Sequence, residues 1–109
     1  MAMQVHELAI SIIEALAPVM PLIQRHDRGL AVQLRNSASS TVLNIAESEH
    51  SDPGNRRARL FTAAGSANES RSALRVAIAW GYIRRERAAD VLDRMDQVVA
   101  ILWKLTHGP

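Results

Sequence analysis

Histidine and carboxylate are the residue types here that could hold a metal or move a proton. The chain has four histidines and eleven Asp and Glu, and no cysteine, which removes disulfides and thiolate metal sites. His6, His50 and His107 stand near the ends of apolar segments, close to Glu49 and Asp52. If those ends share one pole, the five are a ligand set for zinc or another divalent ion. The alternative is that His50 and His107 complement helix C-termini and the remainder are solvated ends. No phosphate-binding glycine loop, His-Glu-x-x-His pair or glycine-flanked serine elbow occurs in the sequence. The residues therefore point to a non-enzymatic protein with no catalytic residue and no cofactor.

The cations carry a second kind of chemistry. Twelve are arginine and one is lysine, although the formal net charge is only +2. Arginine's planar fork suits bidentate contact with phosphate or carboxylate, and a high-GC genome would produce the same bias through codon usage. Arg25, Arg28, Arg84, Arg85 and Arg87 lie beside two predicted chain turns, with Asp27, Glu86 and Asp90 as the acids in reach. Arg84, Arg85 and Arg87 fall in the first turn of a predicted helix, where the positive end of the dipole disfavours cations. Phosphates of RNA or DNA would compensate them, and so would ion pairs within or between subunits. Trp80 and Tyr82 flank the same turn, where they can stack on bases or close the core.

The elements that must position these groups are helices. Apolar spacing predicts segments over about 5–20, 27–49, 53–80 and 84–106, with no strand-like alternation. Leu8, Ile12, Ala15 and Val19 mark the first, which Pro18 and Pro21 kink and end. The second carries Leu30, Leu34, Ala38, Val42, Ile45 and Ala46. Asp52 followed by Pro53 opens the third as N-cap and first helical residue, and Gly81 closes it. Val91, Met95, Val98, Leu102 and Leu105 mark the fourth. Short connections between long amphipathic helices predict an all-α, antiparallel up-down-up-down four-helix bundle, one domain over 1–109. The N-terminus lacks a basic signal region, and Glu7 and Glu14 interrupt its apolar run, so a soluble cytoplasmic protein with no membrane partner is expected.

Within the second segment, Gln33, Ser37, Ser40, Thr41, Asn44 and Ser48 form a narrow stripe of mostly small polar residues, and Val32, Ser39 and Leu43 form a further face. Contact on more than one side, including a subunit interface, follows from that distribution, with Asn44 and Glu47 as hydrogen-bonding anchors. In the third segment, Arg71 falls where the stripe of Leu60, Ala64, Ala67, Leu74 and Ile78 should be apolar, and Glu47 or Glu69 would be its partner. Ala64, Gly65 and Ser66 leave room for close backbone approach.

Gly29-Leu30, Gln33-Leu34-Arg35, Ser37-Ala38, Ser40 and Asn44-Ile45-Ala46-Glu47, followed by Ala64-Gly65-Ser66, Glu69, Leu74, Ala77 and Gly81-Tyr82-Ile83, cover most of the chain. This pattern resembles the four-helix-bundle family first noticed in intervening sequences of bacterial 23S ribosomal RNA genes. That family is related to the accessory variability protein of diversity-generating retroelements. The chain departs from the family pattern at Asn36, Ser48 and Arg71. The resemblance implies a bundle that assembles as a ring-like or barrel-like homopentamer, without known enzymatic activity. For the retroelement relatives it implies a basic surface that binds nucleic acid and a reverse transcriptase as protein partner. Two functional readings result: an oligomeric nucleic-acid-binding scaffold or accessory subunit acting through the arginine-rich pole, and a structural or protein-binding oligomer whose polar stripes serve assembly alone.

Overall fold

Two prolines three residues apart, Pro18 and Pro21, divide the first predicted segment. In the computed structural model, which describes residues 2–108 with side chains from Gln4 onward, α1 (Ala2–Leu16) stops before Pro18, which offers no N–H and disfavours helical geometry at Ala17. The chain then bends by 57° into α2 (Met20–His26). Pro21 does not end a helix, as expected, but sits in the first turn of α2, where its missing N–H would have had no partner. Asp27 is extended (φ −155°, ψ 93°) and serves both neighbours. Its backbone N–H caps α2, and its Oδ1 accepts the Leu30 N–H at 3.0 Å to start α3 (Arg28–Glu49).

Asp52 opens α4 (Pro53–Ala79) as its N-cap, accepting from the Asn55 N–H at 3.0 Å and the Asn55 Nδ2 at 2.8 Å. These donors, led by the backbone N–H, hold the Asp52 carboxyl below its ordinary value. At the other end of α4, Tyr82 N–H donates to Ala77 O and Gly81 N–H to Ile78 O, each at 2.9 Å, with Gly81 at φ 81°. That pair of bonds is a Schellman termination, and the left-handed residue it requires is a glycine. Then α5 (Arg85–His107) follows.

The described residues are all-α, with no strand. A 27-residue helix is about 40 Å long, so α4 runs the whole of the 42 Å long axis. α3 packs on α4, α4 on α5, and α1 on both α3 and α5, closing a four-sided bundle with α2 laid against α3. Contacts between Ser40 and Ser66 and between Asn44 and Arg59 show α3 and α4 antiparallel. Arg71 with Asp96, and Phe61 with His107, show the same for α4 and α5. At mid-height, Ala9, Ile12, Ala38, Ala67, Met95 and Val98 close around a void of about 10 Å³.

Two expected registers shift. In α1 the buried line is Val5, Ala9, Ile12 and Leu16, and Leu8 and Ala15 are only half-buried. In α4 it is Leu60, Ala63, Ala67, Ser70, Leu74 and Ala77, an alternation of three and four in which Ser70, not Arg71, takes the core position. The α5 line of Val91, Met95, Val98 and Leu102 is as predicted, but at its end Thr106 is buried in place of Leu105, which is half-buried. No single helix among the described residues is long and apolar enough to cross a membrane.

Candidate nucleic-acid interface

Tyr82 fastens the α4–α5 turn to the α2–α3 junction. Its ring stacks on His26 with centroids 5.2 Å apart and planes 5° from parallel, and its hydroxyl donates to Asp27 Oδ2 at 3.4 Å. Burial raises the Tyr82 phenol above its ordinary value, with the Asp27 charge and this hydrogen bond adding to it. The clasp brings Arg25 and Arg28, on either side of Asp27, to the same end of the bundle as Arg84, Arg85 and Arg87 at the start of α5. All five are exposed, and none forms an ion pair among the described residues. Two of the three expected acidic partners are engaged elsewhere: Asp90 with Arg94 Nε at 3.0 Å, and Asp27 with Leu30 and Tyr82. Arg84 is the N-cap of α5 and supplies no side-chain acceptor, while Glu86 is the one acid in the first turn.

Beside this end, α4 and α5 border an open groove of about 430 Å³ lined by Ser72, Arg75, Val76, Arg85 and Leu92 among others, with no carboxylate on its walls. Arg75 was not singled out in the sequence. It follows Arg71 at i+4, and only the fold shows that it lines the same groove as Arg85. Trp80, one turn past Val76 on α4, is 70 % exposed.

The histidine pole does not assemble. Among the described residues no three His, Asp or Glu stand close enough to hold a metal ion. His6 lies 3.8 Å from its neighbour Glu7, and His50 is the exposed C-cap of α3. His107 stacks on Trp103 with centroids 4.4 Å apart, one helical turn away, and meets the edge of Phe61 at 5.9 Å. Arg57 lies over the other ring contact of this group, 5.3 Å from the Phe61 centroid. The i, i+4 spacings of Arg57 with Phe61 and of Trp103 with His107 are visible in the sequence, whereas their meeting across two helices is not.

The polar stripe of α3 divides. Ser37, Thr41 and Ser48 are buried in the core, with hydroxyls donating to Leu34 O, Ser37 O and Ile45 O of their own helix, so they are not an intersubunit surface. Ser40 reaches Ser66 of α4 at 2.8 Å. Asn44 Nδ2 donates to Ser40 O at 2.9 Å, and its Oδ1 accepts from Arg59 at 3.4 Å. Glu47 and Glu69 are exposed and make no ion pair among the described residues. Neither partners Arg71, whose guanidinium instead meets Asp96 at 3.1 Å and Asn68 Oδ1 at 3.0 Å near the surface. Gly65 is exposed, and a Cβ placed on it would meet nothing within 4 Å, so it permits no close approach within the chain. On the outer face of α3, Val32 and Leu43 are 44 % and 64 % exposed.

These features define an all-α helical bundle with five arginines at one end that form no ion pair among the described residues, and without a metal-capable cluster among those residues. The model of the 23S rRNA-intervening sequence protein family matches residues 1–104, and the chain belongs to that family. A crystal structure of a protein of unknown function from the S23 ribosomal protein family of Bacteroides thetaiotaomicron has the same fold. Its TM-score is 0.85 at 19 % identity, over 94 % of this chain and 98 % of that one. A search of curated proteins finds no match.

Proposed function

We propose that this protein is a non-enzymatic, self-associating bundle that binds RNA or DNA through its arginine end. The observation that carries the reading is the set Arg25, Arg28, Arg84, Arg85 and Arg87, gathered at one end and without ion-pair partners among the described residues. Three of them crowd the positive end of the α5 dipole, an arrangement that costs stability unless an anion is present. Each phosphate contact steepens the fall of log K with log salt by about 0.9 on duplex nucleic acid. Binding measured at two salt concentrations should therefore be strongly salt-dependent. The double change of Arg84 and Arg85 to Glu should abolish it or flatten the slope by about 1.8 or more. Wild-type protein without salt-dependent affinity would leave the arginine end a structural feature.

Self-association has its own support. Val32 and Leu43 on α3, and Phe61 and Trp103 on α4 and α5, are large apolar side chains left exposed on separate faces. The family resemblance implies a homopentamer, and a ring would repeat the arginine end into a basic rim. Mass in solution by light scattering tests this, and a monomer at micromolar concentration refutes it. If assembly occurs without nucleic-acid binding, the protein is a structural or protein-binding oligomer.

A further inference from the structure

We infer that the groove between α4 and α5 takes one nucleotide of a single-stranded nucleic acid, with its phosphate at Arg75 and Arg85 and its base on Trp80. The inference rests on the nucleic-acid reading above and adds to it a site and a strand preference. Four observations converge. Two guanidiniums from different helices border one groove whose walls hold no carboxylate, and neither makes an ion pair among the described residues. The groove's volume of about 430 Å³ is on the scale of small-molecule sites, commonly about 300–1,000 Å³. Its lining includes the apolar Val76 and Leu92, which suit the face of a base or ribose, and Ser72 adds a hydroxyl for a polar edge.

The fourth observation is Trp80, which lies outside the groove's lining but one helical turn beyond its wall residue Val76. It is the most exposed of the large apolar side chains at 70 %, yet its backbone is helical (φ −74°, ψ −11°) and fixed by the Schellman bonds around it. An indole carried on fixed backbone and left in water is a platform for stacking, and stacking is available only to a base outside a duplex. Tyr82 does not compete for that role, because His26 covers its ring and Asp27 takes its hydroxyl.

The test uses the full chain carrying Trp103→Phe, so that Trp80 is the one tryptophan. Its fluorescence is titrated with a short oligothymidylate and with the same oligonucleotide in a duplex, at two salt concentrations. Single strands are expected to quench Trp80 and to bind more tightly than duplex. Adding Trp80→Ala should weaken single-strand binding about 5- to 150-fold, measured by anisotropy of a labelled oligonucleotide. Trp80→Phe should recover part of the loss, and Arg75→Ala should weaken binding mainly at low salt. Equal affinity for single strand and duplex, or binding untouched by Trp80→Ala and Arg75→Ala, overturns the inference. If in that case Arg84→Glu with Arg85→Glu still abolishes binding, the arginine-end reading survives alone. Absence of salt-dependent binding to either form overturns both.

Discussion

Replacing Gly65 by alanine should raise the thermal stability of the chain. Gly65 lies in the interior of α4 with negative φ, where glycine is about 0.5–1 kcal/mol less favourable than alanine. Nothing in the chain offsets that gain, because the added Cβ would find no atom within 4 Å. Unfolding entropy of about 2.1 cal/mol/K per residue over 109 residues converts the gain to a Tm rise of about 2–4 °C. Gly81→Ala is the opposite control: at φ 81° a side chain is strained by about 1–2 kcal/mol, so Tm should fall by about 4–9 °C. Calorimetry of the three proteins, with mass measured at the same concentration, is the assay. A lower Tm for Gly65→Ala at unchanged mass refutes the reasoning. A lower Tm together with a lower mass would instead place Gly65 in a contact between copies.

Leu74 is fully buried, and Leu74→Ala should cost about 2–5 kcal/mol, lowering Tm by about 9–22 °C in the same calorimetry. The Arg71–Asp96 pair lies near the surface, with side chains 30 % and 63 % exposed, so a double-mutant cycle should find a coupling of only about 0.2–1 kcal/mol. Asn44→Leu removes the link to Arg59 and should lower stability by about 0.5–1.5 kcal/mol, and unchanged mass and melting would count against a bridging role. Asp52 has a lowered carboxyl pKa in the fold, so its stabilisation of the α4 N-terminus is present above the unfolded value and lost as pH falls through the folded one. Amide exchange at Asn55 and Arg56 should accelerate relative to the rest of α4 below about pH 4, and Asp52→Asn should remove that pH dependence.

The strong signals in the sequence are the positions Val91, Met95, Val98 and Leu102 of α5 and the caps at Asp52 and Gly81, and these hold in the structure, whereas the cap at Asp27 emerges only there. The errors fall where side chains are small. In α4 alanine and serine appear on every face, so the sequence offers little contrast between one register and the next. Large Leu60 and Leu74 fit either line, and Ala64 with Arg71 competes with Ala63 with Ser70. The same ambiguity hid the division of the α3 stripe into core hydroxyls and an α3–α4 seam. Pro21 is ambiguous in the sequence because proline stops a helix from inside yet suits its first turn. For the arginine end, the residues could be named from the chain turns, but the absence of ion pairs, the clasp at Tyr82 and the groove at Arg75 need three dimensions.

Five hydroxyls are buried in the core, and each donates to a carbonyl three or four residues earlier in its own helix: Ser37, Thr41, Ser48, Ser70 and Thr106. None depends on a particular atom of a neighbouring helix. The packing surfaces therefore set a limit on size more than on chemical identity, and alanine, serine or threonine can exchange there without stranding a partner. Such a fold tolerates wide drift in sequence, consistent with a bundle of the same shape being built at 19 % identity.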